Sequence, residues 1–270
     1  EVNEDLFSLD ITRFEKFHSE TSFIIDRAAE SLGNQYAMHW PYKQLKTSRN
    51  IKTFPYHEHL KNKGACFGQV AGFESPLWYA LDGDKAEFEY SFGYQNWYKS
   101  AKYETQNTRK NVGFFELTPF AKFEIEGENA YSSLQYLCSN NIKNQPGSIT
   151  YTQMLNSNGG IEADLSITCI SEKKYRIVTG SAVREHDKKH ILKHLDKSLN
   201  FRDITEEYAC FGIFGPKSRN LLTEIFGNEF ENNKFPFGYS KSLKIKNIDI
   251  LLQRLSFVGE LGWELYIPIN

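Results

Sequence analysis

The chain has 270 residues, of which 40% are hydrophobic, and 32 basic against 34 acidic side chains leave a net charge of −2. That balance fits one large or two ordinary globular domains and excludes a disordered chain. It offers no general electrostatic case for nucleic acid or an anionic membrane as partner, and no apolar run approaches the length of a membrane span. Cys66, Cys138, Cys169 and Cys210 lie far apart without a CxxC spacing. Such spacing favours reduced thiols in a cytosol-like compartment (cytoplasm, or the mitochondrial matrix in a eukaryote) over a disulfide framework. The chain begins at Glu1 without a signal-peptide pattern and stops at Asn270 directly after a strand-like run, so it reads as a piece of a longer polypeptide.

In chain order, Thr21 to Leu32 places Ile25, Ala28, Ala29 and Leu32 on one helical face, and Gly33 supplies the stop. From about Ile51 to Tyr98 the chain is rich in aromatics, Gly and Pro and shows no sustained helical period, as expected of short strands and turns. Phe123 and Ile125 then alternate with Lys122, Glu124 and Glu126 in a strand that Gly127 closes. A helix follows with Ala130, Leu134, Leu137 and Cys138 on one side. A hairpin is expected over Tyr151–Ile170, a strand over Tyr175–Thr179 and a Lys/His-rich helix around Asp187–Leu199. A strand ends at Phe214, and Gly215-Pro216 opens a helix carrying Leu221, Leu222 and Ile225 and ending at Gly227. Leu243–Leu252 reads as one strand leading into Arg254–Tyr266. Strands and helices interleave as in an α+β fold with mixed, mainly antiparallel sheets.

On the second hairpin strand, Ile161, Ala163, Leu165, Ile167 and Cys169 alternate with Glu162, Asp164, Ser166 and Thr168, the period of a half-buried strand. Asp is a poor strand residue, so Asp164 in mid-strand is either part of a solvated face or a working acid. His186, His190 and His194 are spaced four apart on a predicted helix. Their neighbours Asp187, Lys188, Lys189, Lys193 and Lys197 mark a solvated basic face rather than a metal site. His57 and His59 flank Glu58 without further ligands nearby in sequence, so metal is not expected there either.

Four stretches then occur in a telling order: Val112-Gly-Phe-Phe-Glu-Leu-Thr-Pro-Phe-Ala-Lys-Phe-Glu-Ile-Glu-Gly127, Tyr151–Asp164, Phe214-Gly-Pro-Lys-Ser-Arg219 and Phe257-Val-Gly-Glu-Leu-Gly-Trp-Glu264. Together they resemble the folate-binding domain of the glycine-cleavage T-protein and of sarcosine and dimethylglycine dehydrogenases. Upstream, Asp5–Phe14, Ser48-Arg49 and Gly64-Ala-Cys-Phe-Gly-Gln-Val-Ala-Gly-Phe-Glu-Ser-Pro76 resemble the junction between an FAD-dependent amine dehydrogenase module and that domain. The resemblance covers nearly the whole chain. It implies the end of an FAD module over 1–50, a small connecting domain over 51–105 and a T-protein-like folate-binding domain, truncated at its C-terminus, over 106–270.

The resemblance implies oxidative N-demethylation of sarcosine or dimethylglycine with FAD, an electron acceptor as partner of the parent flavoprotein, and capture of the one-carbon unit by tetrahydrofolate as 5,10-methylenetetrahydrofolate. A folate nitrogen that attacks an electrophilic carbon becomes cationic, and a carboxylate can take its proton and stabilise the charge. Asp164 matches the catalytic position. Glu264 matches the carboxylate that accepts the pterin's N–H donors. It lies on a strand where Trp263, Leu265 and Ile267 share the opposite face. Phe120 and Phe257 match positions that pack on the pterin, although each could be an ordinary core aromatic. Gly180 matches a close backbone approach, although it could equally be a bulge or turn.

Phe257 stands where much of the family has Tyr, and Gly72-Phe-Glu-Ser-Pro76 stands where the dehydrogenases carry Trp and Arg around the Glu. No GxGxxG fingerprint follows a strand, so the chain offers no flavin ligand of its own. A flavin-independent aminomethyltransferase and a non-catalytic folate-binding or regulatory relative remain the alternatives.

Overall fold

The computed structural model describes residues 9–38, 40 and 43–269; Asp5–Ser8 of the first upstream motif lie outside them. The chain divides into two compact units, Glu1–Glu104 and Thr105–Asn270.

The first unit carries α1 (Thr21–Gly33), α2 (His57–Asn62) and an antiparallel hairpin of β1 (Ala65–Val70) and β2 (Phe73–Tyr79). Ala71 and Gly72, at φ 48° and 80°, make the two-residue turn of that hairpin, the left-handed pair that matches strand twist. Glu74 on β2 is 1% exposed and is held by the Arg49 guanidinium and by the Asn50 N–H at 2.7 Å. Burial pushes its carboxyl up, but the hydrogen bonds from Arg49 and Asn50 outweigh this and leave it below the usual range. The helix expected from Thr21 is present, yet the side chains of Ile25 and Leu32 on its apolar face are exposed.

α3 (Tyr98–Lys110) spans the division between the units and was not expected from the sequence. Its residues are mostly polar, so it shows no apolar stripe for a period-based reading to detect.

The second unit continues with β3 (Gly113–Glu116), β4 (Ala121–Glu126), α4 (Ala130–Leu137), β5 (Ile149–Leu155), β6 (Ile161–Ser171) and β7 (Lys174–Thr179). It ends with α5 (Arg184–His194), β8 (Asn200–Asp203), β9 (Tyr208–Phe214), α6 (Ser218–Phe226), β10 (Tyr239–Ile245), β11 (Ile248–Arg254) and β12 (Gly262–Pro268). One sheet runs β5-β6-β7-β4-β8, the other β10-β11-β12-β9-β3, and every pair within them is antiparallel. The fold is α+β, as the interleaved pattern indicates. Ser148 and Tyr239 form a bridge that joins the first strands of the two sheets at one corner.

Three expected elements differ in extent. Leu243–Leu252 is a hairpin rather than one strand, because Lys246 takes φ 54° and turns the chain between β10 and β11. A lysine in that conformation gives no Gly or Pro punctuation to read. α5 stops at His194, where Asp196 turns the chain by accepting from the Ser198 N–H at 2.9 Å. α6 starts two residues after Pro216, because Gly215 (φ 135°) and a Lys217 N–H bond to Asn111 O occupy the approach.

Each sheet buries one face against helices. Phe123, Ile125, Leu165, Ile167, Tyr175 and Ile177 pack with Leu134 of α4 and Ile191 of α5. On the other sheet, Ile213, Leu252, Trp263 and Leu265 pack with Leu222 of α6 and with Phe230 and Phe235. Each such side chain contributes about 1.5–3 kcal/mol on burial. The remaining faces meet each other, with Val178, Cys210 and Tyr266 at the centre and Phe120, Leu117, Tyr208 and Leu251 around them.

Polar residues fill much of that inner layer. Lys122 and Glu124 alternate with β4's apolar residues as expected, but both are buried rather than facing solvent. The Lys122 ammonium donates to the carbonyls of Thr118 and Phe120, each at 2.8 Å, and of Thr205 at 3.1 Å. Arg176 pairs with Glu124 at 2.7 Å and lies 4.4 Å over the Tyr208 ring, while Gln253 donates to Thr168 at 2.9 Å across the sheets.

Burial draws the Lys122 ammonium down to about 8, partly opposed by Cys210 and Glu116. The folded chain thus holds that proton less tightly than the unfolded one. The stability owed to Lys122 therefore rises as pH climbs from about 8 toward the ordinary lysine value of 10.5. In Lys122→Met this rise is expected to vanish, which the difference between wild-type and variant melting temperatures across that interval measures.

Candidate functional site

Asp164 lies on β6, on the face opposite to Ala163 and Leu165, and it is exposed. Gln153 is directly opposite on β5 and donates its amide to Oδ1 at 3.4 Å. The Tyr151 hydroxyl also bonds the Asp164 carboxylate, which pushes the exposed phenol up. On the other side, Leu165 pairs with Thr179, so the next position in register with Asp164 is Gly180. Gly180 has φ −61° and opens the 3-10 turn Ser181–Val183. Its conformation does not demand glycine; what it provides is an absent side chain beside Asp164.

Glu264 sits on β12, turned from Trp263, Leu265 and Ile267 as the alternation requires. It is not an exposed strand glutamate: it is 5% exposed in the layer between the sheets. Gly212 and Gln253 flank it in register on β9 and β11. Its Oε2 accepts from the Tyr266 hydroxyl at 2.6 Å, and among the described residues no other donor or ion-pairing cation reaches it. Burial pushes its carboxyl up, opposed by the Tyr266 bond and by the Lys122 charge.

Phe120 packs against the Val178–Cys210–Tyr266 cluster, and its carbonyl holds Lys122. Phe120 and Glu264 therefore share the inner layer. Asp164 and Gly180 form a second group on that same face of β6 and β7. Thr168, which bonds Gln253 beside Glu264, is four positions from Asp164, about 13 Å along the strand. Phe257 stands apart, 88% exposed in the loop between β11 and β12. A depression of about 310 Å³ opens elsewhere, among Tyr136, Cys138, Leu155, Ser157 and His194, and takes in none of these residues.

Several neighbours went unnoticed in the sequence. Tyr151 and Gln153 were legible as partners of Asp164 only through the hairpin register. Gln253 and Tyr266 required knowledge that two sheets meet. Gln253 Oε1 and Arg176 Nη1 are buried without a partner among the described residues, and both lie beside Thr168. A buried carboxylate with a spare oxygen, close to an orphaned acceptor, suits a flat ligand with several N–H donors. No group of three His, Cys, Asp or Glu side chains able to hold a metal occurs among the described residues.

Residues 56–270 match the GCVT N-terminal domain, and residues 1–53 match the FAD dependent oxidoreductase central domain. The chain belongs to the GCVT N-terminal domain family. The fold agrees: the glycine cleavage system aminomethyltransferase T from Bartonella henselae superposes with a TM-score of 0.66 at 22% identity, covering 82% of this chain and 54% of that one. In sequence the chain is similar to 4-methylaminobutanoate oxidase (formaldehyde-forming) of Paenarthrobacter nicotinovorans, at 34% identity over 97% of this chain and 32% of that protein. Sarcosine dehydrogenase of Homo sapiens is 30% identical over 98% of the chain and 33% of its own length. The pyruvate dehydrogenase phosphatase regulatory subunit of Mus musculus is 28% identical over 99% of the chain and 31% of its own length. The chain spans about a third of each of these relatives.

Removing the hydroxyl that serves Glu264 tests the inner layer directly. Tyr266→Phe is expected to cost about 1–3 kcal/mol at pH 8. A carboxyl held above its unfolded value loses stability as pH rises through the raised value, so the cost shrinks near pH 4.5, where protonation relieves the buried charge. Urea titrations at the two pH values give the comparison.

Proposed function

We propose that residues 106–270 bind tetrahydrofolate and that Asp164 serves the transfer of a one-carbon unit to it, forming 5,10-methylenetetrahydrofolate. In this reading the chain is part of an FAD-dependent N-methyl amine dehydrogenase acting on sarcosine or dimethylglycine. Residues 1–50 end its flavin module, residues 51–105 connect, and an external acceptor takes the electrons. The observation that carries the proposal is Glu264, a carboxylate buried between sheets with a single hydroxyl partner. Such a group is costly to keep unless a ligand brings further donors. The similarity to amine-oxidising relatives supports the reaction class.

Tetrahydrofolate would supply nucleophilic nitrogens able to take up the carbon of an iminium or of formaldehyde. Glu264, with Phe120 nearby, would hold the pterin end. The bare backbone at Gly180 would admit a ligand next to Asp164. The Asp164 carboxylate would take the proton from the attacking nitrogen, steadied by Tyr151 and Gln153. Phe257 would join only by closing its loop onto the ligand, since it is exposed at present. That exposure, with the similarity to a phosphatase regulatory subunit, is what favours the second, non-catalytic reading.

The test is Asp164→Ala in the full-length protein during amine turnover with tetrahydrofolate. Amine oxidation is expected to continue while formation of 5,10-methylenetetrahydrofolate falls by roughly 10²- to 10⁴-fold and free formaldehyde accumulates. If wild type neither binds tetrahydrofolate nor forms the methylene product, the regulatory reading replaces this one.

A further inference from the structure

His186 lies in the first turns of α5 with both ring nitrogens facing carboxylates. Nε2 is 3.2 Å from Glu162 Oε2 on β6, and Nδ1 is 2.9 Å from Asp187 Oδ1. Asp187, expected on a solvated face, is instead fully buried, because its other oxygen accepts from the Thr179 hydroxyl at the end of β7. That hydroxyl is also 3.5 Å from the backbone carbonyl of Asp164, and Asn156 donates to Glu162 Oε1 at 2.9 Å. The chain of contacts thus ties together β6 two residues before Asp164, the end of β7 and the start of α5. The segment it encloses, Gly180–Val183, is the turn that runs beside Asp164. Neither the metal site weighed for these histidines nor the chemistry assigned to Asp164 uses this arrangement.

We propose that His186 is a positioning residue for Asp164: as an imidazolium it bridges Glu162 and Asp187 and so holds the Gly180 turn and the Asp164 stretch of β6 in fixed relation. With both carboxylates ionised, only the doubly protonated ring donates to both; a neutral ring turns a lone pair toward one of them. The charged groups facing the ring are Glu162 on β6, with Asp164 two residues beyond, and Asp187 and His190 on α5 itself. α4, which also packs on α5, carries no charged residue. Burial pushes the Asp187 carboxyl up, against the hydrogen bonds from His186 and Thr179. Where the ring is replaced by a side chain that cannot donate to both carboxylates, the bridge to Glu162 opens and the turn loosens. The consequence for folate rests on the reading proposed above for Asp164; the consequence for the turn does not.

The experiment uses the full-length protein as wild type, His186→Gln, Glu162→Gln and the double variant. Amide hydrogen exchange of residues 180–186, corrected for intrinsic rates, reads the clamp, and calorimetric titration with 5-formyltetrahydrofolate reads the site. Each single variant is expected to lose protection in the turn and about tenfold in affinity, and the double variant to lose no more than either, because all three remove the same bridge. Equal protection in wild type and His186→Gln, or losses that add in the double variant, overturns the proposal. Should wild type bind no 5-formyltetrahydrofolate, the folate reading fails while hydrogen exchange still decides the clamp. Glu162→Gln removes the bridge from the β6 end, and it must reproduce the loss of protection even if His186→Gln does not fold.

Discussion

The second unit depends on how two sheets can face each other across charged groups. Lys122, Glu124, Arg176 and Glu264 all lie in or beside that layer, where an unpaired charge would be prohibitive. Each is accommodated differently. Lys122 is caged by three backbone carbonyls, Arg176 and Glu124 neutralise each other, and Glu264 leans on one tyrosine. The helices on the outer faces supply ordinary apolar cores, so the inner layer is free to be polar. A polar interior specifies register tightly, since slipping one strand by a single position would turn Lys122 into the apolar core and strand its carbonyl partners.

Local periodicity made much of the framework legible. β4, α4, the β5–β6 hairpin, β7 and β9 follow from alternation and helical spacing because each has one face on a helix-backed core. The side to which Glu264 points was likewise readable from Trp263, Leu265 and Ile267. What alternation cannot convey is the fate of the polar face. It marks Lys122, Glu124, Asp164 and Glu264 alike, yet three are buried and only Asp164 reaches solvent. That difference arises because the second sheet covers part of the first and leaves the Asp164 end open. α3 and the Lys246 turn escaped for other reasons: α3 has no apolar stripe, and the left-handed turn position is taken by a lysine, with only Asn247 beside it to mark a turn.

The motif positions sort by the same geometry. Phe120 and Glu264 come from segments far apart in sequence and share the inner layer, each beside Tyr266. Asp164 and Gly180 meet because β6 and β7 are hydrogen-bonded neighbours. In each pair the carboxylate is held by regular sheet structure, while Phe120 and Gly180 lie immediately before β4 and after β7 and are placed by those strands' ends. Phe257 is farther from any strand, in the middle of the loop between β11 and β12.

The two carboxylates have opposite surroundings, and this bears on what each can do. Glu264 has lost its water and keeps one neutral donor, so a ligand N–H delivered there replaces solvation that folding has already removed. In the proposed reading, binding at Glu264 would be favoured by the cost of leaving it alone and would discriminate against any ligand that presents an acceptor instead. Asp164 has kept access to water and is steadied by a phenol and an amide, neither of which neutralises it. A group so placed can take a proton and return it to solvent without disturbing the interior. Exchanging the two environments would spoil both roles. An exposed Glu264 would recognise weakly, and a buried Asp164 would have no solvent to which it could return a proton.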